Sequence, residues 1–155
     1  MQRTTQTDET QATSWFFDQV AETVLAGGAG EAALVERSAR GGAMAPLHAR
    51  DGESETYRVL DGLVTFFVGG DAVSAGPGDV VVAPPGVPRT FRVESGSARW
   101  LVLTRVRSLS LFEDFGRATA APVEGDWPSL DELVTLAAIA AANDIALLGP
   151  PGAVP

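Results

Sequence analysis

Between Trp15 and about Arg107 the chain is a series of short apolar runs separated by turn-forming residues. The runs are Trp15–Leu25, Ala32–Glu36, Thr56–Leu60, Leu63–Val68, Val80–Ala83, Thr90–Val93 and Trp100–Val106. Gly27-Gly28, Gly41-Gly42, Asp61-Gly62, Gly69-Gly70-Asp71, Gly76-Pro77-Gly78-Asp79 and Pro84-Pro85-Gly86 break them. Short strands at this spacing, with turn chemistry between them, specify an all-β sandwich or barrel. Asp61-Gly62 lies between two apolar runs and reads as a hairpin turn, because both residues tolerate positive φ.

The last third has a different rhythm. Leu111–Arg117 reads as a short helix, and Ser129 with Glu132 forms a capping box for a second one. Leu133, Leu136, Ala137, Ile139, Ala140 and Ala141 follow at helical spacing, and Asn143-Asp144 supplies a helix end. The expected organisation is a polar arm over 1–13, a β-barrel over 14–108 and a helical extension over 109–155 packed on the barrel.

Composition narrows the chemistry. At 155 residues a single domain can bury a real core. A net charge of −9 leaves no basic face for nucleic acid. There is no cysteine, and every one of the 11 basic residues is arginine. Thiolate nucleophiles, Cys-based metal sites, lysine Schiff bases and Walker-type phosphate loops are therefore excluded. With a single histidine, one chain cannot build a multi-histidine metal site. The N-terminus has no apolar core of a secretory signal and no run is long enough to span a bilayer, so a cytoplasmic location is expected.

The informative stretch runs from Gly42 to Val93. Gly42, His48, Arg50, Glu55 and Gly62 come first, then Gly78, Pro84, Gly86, Arg89 and Val93. Their spacing resembles the two cupin motifs, G-x5-H-x-H-x4-E-x6-G and G-x5-P-x-G-x2-H-x3-N. Every glycine, the proline, the first histidine and the glutamate fall in place. Upstream and downstream segments resemble the quercetin dioxygenase-like branch of that superfamily. The resemblance implies a jelly-roll barrel whose interior receives His48, Arg50, Glu55 and Arg89. It also implies that two of three metal-ligand histidines are replaced, by Arg50 and Arg89. A guanidinium has no lone pair to donate, so no metal and no cofactor is expected.

His48 and Arg50 are two apart and share a strand face, as do Glu55 and Tyr57, and Arg89 and Phe91. His48 is the natural proton-transfer group. Glu55 serves as its partner, and Arg50 and Arg89 can hold a substrate carboxylate or enolate. Tyr57, Phe91, Trp100 and one of Phe66 and Phe67, taken here as Phe66, are candidate substrate-binding walls, and equally candidate core residues. The resulting expectation is a metal-independent enzyme on a small organic substrate in specialised metabolism, working by cyclisation, isomerisation or dehydration. Two other readings stay open. One is a metal-dependent dioxygenase-type cupin with an atypical site. The other is a non-catalytic ligand-binding or scaffold cupin whose interior is plugged by an Arg–Glu ion pair. The apolar segment Trp15–Leu25 is expected to seek a second copy, giving a homodimer.

Overall fold

The structure, a computed structural model, describes residues 13–16, 20–27, 32–105 and 130–155. Eleven strands are present among them: β1 (Thr13–Phe16), β2 (Val20–Ala26), β3 (Ala32–Arg40), β4 (Pro46–Arg50), β5 (Glu55–Asp61), β6 (Val64–Val68), β7 (Asp71–Ala75), β8 (Val80–Ala83), β9 (Arg89–Val93), β10 (Ser97–Arg105) and β11 (Ile145–Pro151). A single described helix, α1 (Leu130–Ala142), precedes β11. The strands form two antiparallel sheets, in the orders β1-β2-β3-β10-β5-β8 and β11-β4-β9-β6-β7. The all-β jelly-roll expectation is met.

Alternation explains the core. On β10, Ala98, Trp100, Val102 and Thr104 are buried while Arg99, Leu103 and Arg105 are exposed. On β6, Val64 and Phe66 point inward. Tyr57 from one sheet stacks on Phe66 from the other at 4.7 Å, and Phe91 and Trp100 meet edge to face at 4.8 Å. These rings pack with Val35, Val59, Val93 and Val102 in one core between the sheets.

Three expectations need correction. First, Trp15–Leu25 is not one strand: β1 and β2 pair with each other antiparallel, with Phe16 opposite Val20. Second, Asp61-Gly62 does not make a hairpin. It carries the chain from β5 in the first sheet to β6 in the second. Gly62 has φ 79°, and a Cβ there would run into the Ser97 carbonyl, so only glycine makes the crossing. The dipeptide permits a reversal, but burial chooses the partner: the inward residues of β5 and β6 face each other across the core. The true hairpin is β6–β7, turning at Gly69-Gly70, with Val68 opposite Asp71.

Third, the C-terminal segment is not wholly helical. Helix α1 ends at Asn143-Asp144, where Asp144 takes φ 58°. The chain then returns as β11 along β4, with Leu147 opposite His48. Pro150 and Pro151 are tolerated because β11 is an edge strand, with no neighbour on its outer side among the described residues. The expected arm, the Leu111–Arg117 helix, Ser129 and the Glu132 side chain of the capping box, and the boundary at 108 lie outside the described residues, although Thr13 already belongs to β1. No described helix is long and apolar enough to cross a membrane.

Candidate functional site

His48 and Arg89 are cross-strand partners on β4 and β9. Arg50, two residues after His48, turns the same way, and Glu55 faces them from β5 in the opposite sheet. The four side chains come together, with His48, Arg50 and Arg89 converging on the Glu55 carboxylate. Arg89 Nη1 donates to Glu55 Oε1 at 3.2 Å, Arg50 Nη1 stands 3.7 Å from Oε2, and His48 Nε2 is 3.9 Å from Oε1. Arg50 also donates to Thr104 Oγ1 at 2.5 Å, linking β4 to β10 across the two sheets.

Arg89 is the most enclosed member, with 1% of its side chain exposed. It donates Nε to the Val87 carbonyl, Nη1 to Ala83 and Glu55, and Nη2 to Pro84. Four of its N–H groups are thus committed to the protein. Arg50 is different: beyond Thr104 and Glu55 its guanidinium has no other partner among the described residues. His48 is the most accessible of the four, with 19% of its side chain exposed. Its Nδ1–H donates to the Pro46 carbonyl at 2.8 Å. A carbonyl can only accept, so that bond places the proton on Nδ1 and leaves the Nε2 lone pair on the side of Glu55.

Electrostatics separate these groups. Burial pushes the His48 imidazole below its usual value of 6.5, although Glu55 and the Pro46 carbonyl oppose the shift. Burial alone would raise Glu55, but Arg50 and His48, with Arg37 and Arg89, reverse that and hold the carboxyl below its usual value. Burial first, and Glu55 second, push the Tyr57 phenol up, so it stays protonated. His48 is the only histidine, so its ring signal is identified without assignment work. Its NMR titration is expected to show a midpoint below 6.5, with the neutral imidazole present at pH 7.

Tyr57, Phe66, Phe91 and Trp100 all face inward, but they are integral to the core, and Trp100 has no exposed surface. Phe67 faces out, with Arg92 over its ring. The sequence reading missed a second charged pair. Glu22 and Arg37 are cross-strand partners on β2 and β3, both buried or nearly so, and joined in a tight ion pair. Arg37 lies over the Phe91 ring at 5.5 Å. Burial pushes Glu22 up from its usual value and Arg37 offsets only part of the rise. Alternation could have revealed the pair, since Glu22 continues the inward series of Val20 and Val24, and Arg37 that of Val35 and Ala39.

The cupin domain family matches residues 25–104 of this chain. The chain is a cupin. None of the curated protein sequences matches it. Among solved structures it is similar to the DMSP lyase DddQ from Ruegeria pomeroyi DSS-3, at 29% identity and TM-score 0.53 over 58% of this chain. It spans about half of that lyase, covering 48% of its length. It is also similar to an RmlC-like cupin from Shewanella frigidimarina NCIMB 400, at 20% identity and TM-score 0.58, covering 68% of this chain and 94% of that one. The nucleoside dehydratase Pac13 matches at 22% identity and TM-score 0.56, covering 67% and 82%. The last two likenesses show the fold alone. Enzymes, a lyase and a dehydratase among them, therefore occur on this architecture.

Many cupins hold a divalent metal, and the residues here can be tested against that chemistry. The converging set offers one imidazole and one carboxylate, with two guanidiniums against the same carboxylate. Among the described residues no group of three His, Cys, Asp or Glu side chains could hold a metal ion. A transition-metal site needs three or four protein donors, and fixed cations beside two donors repel a divalent ion. The residues do not fit one.

Proposed function

We propose that this cupin is a metal-independent enzyme that moves a proton on a small organic anion inside the barrel, in a dehydration, isomerisation or cyclisation. Within the superfamily we read it as a relative of the quercetin dioxygenase-like branch in which Arg50 and Arg89 take two ligand-histidine positions. The observation that carries the reading is the convergence of His48, Arg50 and Arg89 on one buried Glu55 carboxylate. The lyase and the dehydratase among the similar structures support it as company for this fold.

Neutral His48 is the base. Its Nε2 takes a proton from carbon next to a substrate carbonyl, the C–H electrons form a carbon–carbon double bond, and the carbonyl π electrons move onto the oxygen to give an enolate. Glu55 stabilises the imidazolium that forms, and the Pro46 carbonyl keeps the ring oriented. Arg50, with N–H groups to spare, accepts the developing enolate charge. Arg89 has few donors left for a ligand, so its role narrows from oxyanion donor to holding Glu55 in place.

Proton transfer can be watched without knowing the physiological substrate. Chelator-treated protein is incubated in D2O with pyruvate or acetoacetate, and loss of the carbon-bound proton signal is followed by NMR. Exchange above the buffer rate is expected. Replacing His48 with alanine should slow it by about 10²–10⁴-fold. Exchange that appears only after a divalent metal is added, or no exchange with either acid, contradicts the proposal.

A further inference from the structure

Three buried polar atoms have no hydrogen-bond partner among the described residues: Glu22 Oε2, Arg37 Nε and Trp100 Nε1. They belong to one row of neighbours. Glu22 is the cross-strand partner of Arg37, and Arg37 is the cross-strand partner of Trp100. The Arg37 guanidinium lies 6.0 Å from the Trp100 ring centre. Arg37 also lies 5.5 Å from the centre of the Phe91 ring, and Phe91 follows Arg89 by two on the inward face of β9, so this row and the Glu55 cluster share one interior. A buried donor or acceptor left without a partner carries its full desolvation penalty, and native proteins hold few of them. Three in a row mark a place where something else completes the bonding.

The set comprises two N–H donors and one carboxylate acceptor. A carboxylate ligand would satisfy the donors but set its charge against Glu22. A ketone or ester would leave Glu22 Oε2 unpaired. A neutral amide edge, with a carbonyl beside an N–H, answers all three atoms.

We propose that Glu22, Arg37 and Trp100 form a recognition subsite for the amide edge of a lactam or cyclic imide. The ligand carbonyl accepts from Arg37 Nε and Trp100 Nε1, and the ligand N–H donates to Glu22 Oε2. The inference rests on the reading of the barrel interior as a substrate pocket, and it puts the amide end of the substrate at Glu22 and the reacting end at His48.

The Trp100 indole N–H is the reporter. The chain has three tryptophans, and the Trp100 signal in a ¹H–¹⁵N spectrum is identified by its loss in Trp100→Phe. Wild-type protein is titrated with 2-pyrrolidinone, with N-methyl-2-pyrrolidinone and with acetate, while the His48 ring signal is followed in parallel. The lactam is expected to move the Trp100 signal saturably. Its N-methyl analogue, which leaves Glu22 unpaired, is expected to bind roughly tenfold or more weakly. In Glu22→Ala that preference should disappear, and the wild-type comparison stands alone if the variant does not fold. No saturable movement of Trp100 with 2-pyrrolidinone, as when internal water alone completes the bonding, overturns the inference, and so does equal affinity for the two lactams. If acetate moves His48 while 2-pyrrolidinone leaves Trp100 unmoved, the subsite fails and the pocket reading survives. If no probe moves either signal, both fail.

Discussion

Replacing Glu55 with alanine is expected to destabilise the protein by about 3–5 kcal/mol, because it strands Arg50 and Arg89 as buried cations. The carboxylate is 5% exposed, and Arg50 and Arg89 are enclosed to a similar degree. Urea denaturation of wild type and variant reads the difference directly. The sign of the pH dependence follows from the same contacts. The Glu55 carboxyl sits below its usual 4.5 in the folded protein. Its contribution is therefore present above 4.5 and is lost as pH falls through the folded value. His48 acts in the same direction and begins to contribute to acid destabilisation as pH drops below 6.5. Glu22 opposes them, because its folded value is raised: its contribution is full below 4.5 and fades as pH rises through that folded value. A Glu55→Ala protein as stable as wild type would mean that Arg50 and Arg89 are hydrated, and the closed cluster described here would be wrong.

Arg89→Met should cost a comparable amount, on the order of 3–5 kcal/mol, for a different reason. Methionine fills much of the volume but leaves the Pro84, Ala83 and Val87 carbonyls without their donor, as well as one side of Glu55. The double variant Glu55→Met with Arg89→Met is expected to be more stable than the sum of the single losses, since neither leaves the other's charge behind. Strict additivity would show that the contact at 3.2 Å carries no coupling. At a temperature where Arg89→Met remains folded, proton exchange into pyruvate should also fall, because Glu55 loses the contact that positions it. Melting must be measured beside exchange, so that unfolding is not mistaken for lost chemistry.

Much of this cluster was legible because its evidence is local. Strand alternation places His48 with Arg50, and Glu55 with Tyr57, whatever the sheet order, and the motif spacing brings Arg89 to the same interior. Pairing is not local. Asp61-Gly62 reverses the chain in a hairpin and in a crossing between sheets alike, so the dipeptide could not say which sheet β6 would join. Strand β11 was hidden by Gly149-Pro150-Pro151, residues that read as a terminator and are compatible with a strand only at a sheet edge. Strand β7 was hidden because its Asp71–Ser74 residues are all exposed, with no apolar run to mark it. The Glu22–Arg37 pair escaped notice for a related reason. Each residue looks like a surface charge until β2 and β3 are set in register, when both prove to occupy inward positions and to complete each other.

Arg50 and Arg89 set two guanidiniums against the one carboxylate of the cluster, which leaves a divalent ion two donors beside two fixed cations. Metal content of protein purified without a tag, before and after incubation with Fe²⁺, Mn²⁺, Ni²⁺ and Zn²⁺ and desalting, tests this most directly. Far less than one ion per chain is expected in every sample, with a His48 ring signal that does not move and proton exchange that survives chelation. About one tightly held ion per chain, as a cupin metal centre would retain, with exchange lost when a chelator removes it, would mean that the proton transfer depends on metal and that Arg50 and Arg89 do not keep an ion out.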